Sequence, residues 1–132
     1  MSTRWRLVRR DNGATVAADL EIADGPWARF AGLQFRAALP AGAGLLLTPC
    51  PSVHTFFMRF AIDVVLLDRG GCVVAVRRRV HPWRIVPPVW RAYATLELPA
   101  DSADLAPGVE LRLEAAGADV PPPRSLNFLW AP

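Results

Sequence analysis

The residues with the greatest capacity for chemistry lie in one short segment of this 132-residue chain. They combine a thiol, two hydroxyls, an imidazole, a guanidinium and a carboxyl group: Cys50, Ser52, His54, Thr55, Arg59 and Asp63. A nucleophilic enzyme could use His54 to activate Cys50 and Asp63 to orient His54. In an extended chain, however, Cys50 and His54 lie about 13 Å apart, and the prolines on either side of Cys50 disfavour a helix. Only a tight turn over residues 50–53 would bring Cys50 and His54 into contact. We therefore favour a binding role and keep catalysis as the alternative.

Asp63 is the most informative single residue of this segment. It stands inside the apolar run FAIDVVLL, so we predict that its side chain is at least partly buried. A buried carboxylate must be paired, hydrogen-bonded or protonated. Arg59, at the same strand parity, and Arg36 are candidate partners, and the N–H groups of a loop are the structural alternative. We expect Asp63 to fix polar neighbours, His54 among them, in a recess.

A second candidate surface is the proline-rich stretch from residue 77 to residue 91, which interleaves arginines with Trp83 and Trp90. These residue types suit sugars or acidic small molecules, because tryptophan stacks on apolar faces and arginine forks to carboxylates. Single-stranded nucleic acid is a less favoured partner. The structural alternative is that both tryptophans fold back as lids. Residues 69–96 carry six arginines and no acid, whereas residues 97–119 carry six acids and one arginine, so one face is expected to attract anions.

The cysteines and histidines form no metal signature. A metal site would require Cys50, His54, Cys72, His81 or Asp63 to converge, and a Cys-x₃-His pair without a second close pair is a poor zinc motif. We therefore expect neither a metal nor a cofactor. With no export signal, both thiols are expected to be reduced in the cytoplasm. No apolar run approaches the roughly 18 residues of a membrane span.

Short strands are the elements predicted to position these residues. A chain with 52% hydrophobic and 20% charged residues is typical of an ordered globular protein. The patterns predict strands at 4–9, 15–22, 45–48, 55–60, 62–67, 72–78, 92–98 and 109–113. A type I′ turn is predicted at Asn12-Gly13. One helix is predicted near residues 26–38, following Asp24 or Gly25 near its cap.

These elements predict an α+β fold: a single compact, mainly antiparallel, barrel-like domain with one helix, because the connections look too short for crossovers. Residues 1–116 are assigned to this β-rich domain and residues 117–132 to a proline-rich tail. The tail is expected to be extended, although its apolar residues could pin it to the body: Leu126, Phe128, Leu129 and Trp130.

Several motifs occur together in the order and spacing of one known family. They are RFAGLQFR, GLLL, SVHT, Met58, IDV, HPWRI and ATLELPA, within about residues 22–114. In these motifs the chain resembles an uncharacterised prokaryotic family, domain of unknown function 192. The resemblance implies a compact, β-rich, barrel-like domain with one helix, and it supplies no activity. The chain departs from the family where Phe57 replaces a usual glycine, Ala61 a usual proline and Val109 a usual aspartate. We expect Phe57 to narrow or fill a pocket near Met58.

The function favoured by the sequence is a non-catalytic, monomeric, cytoplasmic binding module for a small anionic or polar ligand or for a partner protein. Its site is predicted in a cleft between residues 50–55 and 80–91. The predicted ligand-binding residues are His54, Thr55, Arg59, Asp63, Trp83 and Arg84, with Cys50, Ser52 and Met58 supporting them. A protein partner would use apolar side chains of residues 121–130. The alternatives are a hydrolase-like enzyme that depends on Cys50, His54 and Asp63, and single-stranded nucleic-acid binding.

Overall fold

The structure, a computed structural model, describes residues 4–25, 29, 32–33, 36–116 and 126–130. Within them lie nine strands and one helical turn, α1. Their bounds are β1 (Arg4–Arg9), β2 (Thr15–Ala23), β3 (Ala43–Leu47), β4 (Val53–His54), β5 (Ile62–Leu67), β6 (Val73–Val80), β7 (Ile85–Val86), β8 (Ala94–Pro99), β9 (Leu111–Ala116) and α1 (Asn127–Trp130).

Seven of the strands form one curled sheet in the order β6-β5-β8-β3-β2-β1-β9, and β4 pairs with β7 in a separate two-stranded sheet. The two edge strands of the large sheet approach each other at one end, where Cys72 forms an isolated bridge with Glu110. The Val73 N–H donates to the Val109 carbonyl at 2.8 Å, and the Gly108 N–H donates to the Val73 carbonyl at 2.8 Å. The sheet therefore has the shape of a half-barrel.

All described pairings in the large sheet are antiparallel except that of β2 with β3. Parallel neighbours need a crossover connection of a dozen or more residues, and residues 24–42 supply it. The expectation of a mainly antiparallel sheet is met, but the premise that every connection is too short for a crossover is wrong.

Both faces of the curled sheet are covered by apolar side chains. One cluster joins strands that are far apart in the sheet order, such as Leu7 of β1 and Leu67 of β5, and therefore occupies the inside of the curl. Leu129 of α1 packs into this inner cluster. A second cluster, which includes Leu47 and Leu66, lies on the outer face. Because side chains alternate along a strand, consecutive residues of β3 and β5 contribute to different clusters.

The predicted helix near residues 26–38 lies partly outside the described residues. Arg29 is helical, and its N–H donates to the Gly25 carbonyl at 3.0 Å. Gly32 has a φ of 48° and residues 36–38 are not helical, so the predicted end at Ala38 is wrong. The described residues are almost entirely strand and irregular chain. They support a β-rich, barrel-like fold and give no support to the α+β class.

Two local predictions also differ from the structure. Residues 55–60 are predicted as a strand, but they form turns and bends, and the nearby strand β4 is only two residues long. The hairpin between β1 and β2 is present, yet only Gly13 of the Asn12-Gly13 pair has a positive φ, at 73°. A type I′ turn requires positive φ at both positions. The Asn12 side-chain oxygen instead accepts the Ala14 N–H at 2.9 Å.

The end of the chain contributes to the core. Leu126 and Leu129 are fully buried, so these two side chains are not part of an exposed partner surface as predicted, and residues 121–125 lie outside the described part. The helical turn sits against Gly71, where an added Cβ would lie 2.9 Å from Leu129 Cδ2 and 3.2 Å from the Leu111 carbonyl oxygen. Glycine at position 71 therefore allows this close approach.

Candidate functional site

Asp63 is buried as predicted, but its partners are backbone N–H groups rather than an arginine. The Arg79 and Asp101 N–H groups each donate to Asp63 Oδ1 at 3.0 Å, and the Ala103 N–H donates to Oδ2 at 2.9 Å. Asp63 therefore ties β5 to the end of β6 and to the loop after β8. Arg36, a predicted partner, instead forms a bidentate pair with Glu21, and Arg59 is exposed.

Thr55 joins the two segments that were predicted to border a cleft. Its hydroxyl donates to the His81 carbonyl at 2.7 Å and accepts the Arg84 N–H at 2.8 Å. The Thr55 N–H donates to the Arg84 carbonyl at 2.8 Å, and His54 pairs with Ile85 across β4 and β7. The two segments are thus in direct contact. Thr55 is fully buried. Its hydrogen bonds hold the 50–55 and 80–91 segments together, and it does not face a ligand.

A cavity of about 80 Å³ lies beside the 50–54 segment, four residues of which line it. Its walls come from the 24–42 crossover, the end of β3, the 49–58 segment and β8. It is lined by Arg29, Gly32, Leu33, Leu47, Cys50, Ser52, Val53, His54, Met58 and Glu97. Of the predicted site residues, the structure brings His54, Cys50, Ser52 and Met58 together here. Thr55, Arg59, Asp63, Trp83 and Arg84 are not among the residues that line it.

Glu97 distinguishes this cavity from other depressions on the molecule. It lies on β8, paired with Leu45 on one side and Val64 on the other, and only 3% of it is exposed. Its Oε2 atom is buried and has no hydrogen-bond partner among the described groups. Burial raises the pKa of Glu97 to about 8, and the charge of Arg36 opposes this shift. The carboxyl group is therefore largely protonated at neutral pH and able to donate a hydrogen bond.

The Cys–His–Asp arrangement of a nucleophilic enzyme is not assembled. The Cys50 thiol donates to the Ser52 carbonyl at 2.9 Å, and His54 Nδ1 accepts the Phe56 N–H at 3.3 Å. Asp63 uses both oxygens on the backbone, as described above. Burial raises the pKa of the Cys50 thiol, and nearby Glu97 adds to this while Ser52, Thr95 and Arg29 oppose it. A raised pKa reduces the thiolate fraction that nucleophilic chemistry needs.

Trp83 belongs to an exposed aromatic shelf, defined here as Phe56, Phe57 and Trp83. The rings of Phe56 and Trp83 are stacked at 5.7 Å, and those of Phe57 and Trp83 meet edge-on at 4.8 Å. Phe56 also contacts the His54 ring at 4.8 Å. Phe57 is 49% exposed and does not line the Met58 cavity, so the expectation that it fills this cavity is wrong.

Most arginines of the 69–91 stretch bind within the protein. Arg78 donates to the carbonyls of Ala103 and Leu105, Arg79 pairs with Asp101, and Arg91 pairs with Asp68 at 3.5 Å. Arg69 lies over the Tyr93 ring at 4.7 Å. Among the described contacts, Arg77 and Arg84 donate only to carbonyls one and two residues away in the chain, those of Val76 and Pro82. These contacts reduce the positive charge available to a nucleic-acid backbone.

The described residues bear on two further kinds of site, a metal centre and a membrane span. Within that part of the chain, no group of three or more histidine, cysteine, aspartate or glutamate side chains is arranged to hold a metal ion. No helix in the same part is long and apolar enough to cross a membrane.

The sequence analysis missed Glu97 and Arg29 as site residues. The alternating pattern of β8 was a usable signal, because it places the polar side chains of Thr95 and Glu97 on one face of the strand. The apolar residues between and beside them point to the other face: Ala94, Leu96 and Leu98. Thr95 confirms this placement, since its hydroxyl donates to the Cys50 carbonyl at 2.7 Å. Arg29 lies in the crossover, and its guanidinium donates to the Pro49 carbonyl at 3.0 Å.

Comparison with known proteins identifies relatives with the same fold. A UPF0127 protein of Pyrococcus horikoshii is 34% identical over 98 residues, which cover 70% of this chain and 83% of the relative. The solved structure of a protein of unknown function from Novosphingobium aromaticivorans matches with a TM-score of 0.71 at 16% identity and covers 83% of each chain. A candidate transcription regulator from Sinorhizobium meliloti matches with a TM-score of 0.66 at 24% identity, over 88% of this chain and 95% of that one. These two structures show the fold alone.

The family model DUF192, described as an uncharacterized ACR, matches residues 7–113. The match begins earlier than the motifs at residues 22–114 indicated, since it also includes the second half of β1 and all of β2. The chain therefore belongs to the DUF192 family, domain of unknown function 192, as its motifs suggested.

Proposed function

We propose that this protein is a binding module that holds a small carboxylate in the Glu97 cavity. The observation that carries the proposal is the buried Glu97 Oε2 atom, which lines the cavity and has no described hydrogen-bond partner. Leaving a buried polar group without a partner costs about 1–3 kcal/mol. A ligand that supplies the missing hydrogen bond removes this cost.

The chemistry of the lining favours an anion. Glu97 is largely protonated at neutral pH, and Arg29 contributes a positive charge to the same cavity. A ligand carboxylate can accept a hydrogen bond from the Glu97 O–H and be attracted to the Arg29 guanidinium. Leu33, Leu47 and Met58 line the remaining surface, and they suit a short apolar chain on the ligand.

The experiment is an NMR titration of the amide signals with acetate and propionate at about pH 6 and about pH 9.5, on either side of the Glu97 pKa. We expect shifts at Cys50, Ser52, His54 and Glu97, with weaker binding at the higher pH. Glu97→Gln keeps an N–H donor, so it should retain binding and lose most of the pH dependence. Glu97→Leu should lose binding.

Two controls separate Glu97 from other groups. Glu110→Gln changes an exposed glutamate and should leave the titration unchanged. His54→Asn removes the imidazole that lines the cavity and should leave the alkaline loss of binding in place. Tighter binding of methylammonium than of acetate, or carboxylate shifts confined to residues outside the cavity, would contradict the proposal.

A further inference from the structure

The aromatic shelf of Phe56, Phe57 and Trp83 lies outside the Glu97 cavity, and nothing in the proposed carboxylate site uses it. We propose that this shelf binds the ring of an acidic sugar, such as a hexuronic acid. This inference does not depend on the cavity, although Phe56 contacts His54 through its ring and its N–H group.

The shelf presents aromatic surface in an arrangement suited to a single ring. Phe57 is 49% exposed and Trp83 is 56% exposed, and the two rings meet at 61°. Phe56 stacks on Trp83 at 29°, so the three rings support one another. Aromatic faces pack well against the C–H faces of sugar rings, while the hydroxyl groups at the sugar edge remain in water.

The backbone holds the two exposed rings in place. Phe57 has a φ of 63° and Trp83 a φ of 65°, a conformation that is costly for bulky residues and persists only where the surroundings impose it. The Thr55 carbonyl accepts the Trp83 N–H at 3.0 Å and the Met58 N–H at 3.3 Å. The rings therefore lose little conformational freedom on binding, which favours recognition of a small ligand.

Positive charge next to the rings favours an acidic sugar over a neutral one. Arg84 follows Trp83 and Arg59 lies two residues after Phe57, and both arginines are exposed. In the described part of the chain, neither guanidinium has a carboxylate within ion-pair distance. A uronic carboxylate can pair with either of them.

The size of the shelf argues against a protein partner. A stable protein interface buries about 800 Å² on each side. Three aromatic side chains of roughly 150–250 Å² each provide much less than this, since about half of Phe57 and Trp83 and a smaller part of Phe56 is exposed. A nucleic acid needs a track of several cationic groups along its backbone, and four of the six arginines between residues 69 and 91 are engaged within the protein, as described above.

The test is an NMR titration with glucuronate and with glucose. The indole N–H signals are followed in the wild type, and the backbone amide signals of Phe56, Phe57 and Arg84 are followed in the wild type and in every variant. Trp83→Leu identifies the Trp83 signal by its loss. We expect glucuronate to shift this signal and to bind at least about threefold more tightly than glucose. Trp83→Leu should weaken glucuronate binding about fivefold or more, and Trp83→Phe should restore part of it, because phenylalanine keeps an aromatic face.

Trp90→Leu is the matched control, because Trp90 is also an exposed tryptophan, at 88%, and is not part of the shelf. It should leave binding unchanged. Arg84→Gln should bring the affinity for glucuronate close to that for glucose. The inference is overturned if glucuronate shifts only cavity residues, if Trp90→Leu weakens binding as much as Trp83→Leu does, or if glucose binds equally well. A stronger response of the Trp83 signal to a single-stranded oligonucleotide would assign the shelf to nucleic acid instead.

Discussion

Asp63 and Glu97 are two buried carboxyl groups on neighbouring strands, and their surroundings differ completely. Asp63 pairs with Leu98 and Glu97 pairs with Val64 in the β5–β8 register, so the two residues are close in the sheet but point to opposite faces. Three backbone N–H groups satisfy Asp63. The Glu97 Oε2 atom has none among the described groups. Equal burial thus marks a structural role in one case and a candidate binding site in the other, and the hydrogen-bond partners distinguish them.

The largest effect is expected at Asp63. Asp63→Ala leaves three N–H groups without an acceptor, one buried and two partly buried. At about 1–3 kcal/mol each, with the buried group at the upper end, the free energy of unfolding should fall by roughly 5 kcal/mol. Asp63→Asn keeps an acceptor oxygen and should cost about half as much. Urea unfolding measures both, and Asp104→Asn, at an exposed aspartate, is the control. An Asp63→Ala protein of nearly normal stability would show that these N–H groups do not depend on Asp63.

The second effect concerns the pH dependence of stability. The folded protein keeps the Glu97 proton up to about pH 8, whereas the unfolded chain releases it near the ordinary pKa of 4.5. The folded state therefore binds more protons in this window, so stability falls as the pH rises through it, by up to roughly 5 kcal/mol. Arg29, Arg36, Cys50 and His54 are the other ionisable groups near Glu97.

Glu97→Gln tests this prediction, because glutamine does not titrate and has nearly the same shape. The difference in unfolding free energy between wild type and variant should change steadily from about pH 5 to about pH 8. Glu110→Gln, at an exposed position, should show no such trend. A pH-independent difference between wild type and Glu97→Gln would mean that Glu97 is ionised in the folded protein, contrary to the account given for the cavity.

A third, smaller effect is expected at Thr55. It resembles Asp63 because its side-chain polar group forms hydrogen bonds with backbone groups. Thr55→Val removes the bonds to the His81 carbonyl and the Arg84 N–H and should cost about 2 kcal/mol. Thr15→Val, on the exposed side of β2, should change stability by less than about 0.5 kcal/mol. Equal losses of unfolding free energy at the two positions would show that the hydrogen bonds of Thr55 contribute no more to stability than the exposed hydroxyl of Thr15 does.

The smallest effect concerns backbone strain next to the cavity. At Phe57, with its φ of 63°, glycine should be tolerated better than alanine by about 0.5–1 kcal/mol. At Phe56, which is not among the residues with positive φ, the order should be reversed, because glycine has the greater entropy in the unfolded chain. Thermal unfolding of the four variants measures both differences. If the glycine variant were the more stable of the two at both residues, or the less stable at both, the positive φ of residue 57 would not explain the difference.

The sequence predicted the burial of Asp63 because an acid inside the run FAIDVVLL has little access to water. It offered loop N–H groups as an alternative to an arginine, and that alternative is confirmed, but it did not identify which groups, because they come from positions 16, 38 and 40 residues away. The motifs that carry the family resemblance predicted the family and the β-rich fold, and most strands were placed within a few residues. The strand predicted at residues 55–60 failed because aromatic residues favour strands, whereas the positive φ of Phe57 requires a turn.

Glu97 shows why the cavity was not predicted. Alternation in ATLELP indicates a strand with one polar face, and such a face usually meets water. Here the crossover and the 49–58 segment cover it, and nothing in the local pattern reveals this cover. Leu33 and Met58, which pack on this face, belong to irregular segments whose path is determined by contacts with the sheet.

The parallel pairing of β2 with β3 has a consequence for how ligand preference could diverge among relatives. It obliges the chain to cross from one end of the sheet to the other, and this crossover carries Arg29, Gly32 and Leu33 to the cavity wall. A connecting segment can change in length and sequence with little effect on the register of the strands it joins. Substitutions there can retune what the cavity accepts while β8 keeps Glu97 in position, so the two halves of the site are able to evolve at different rates.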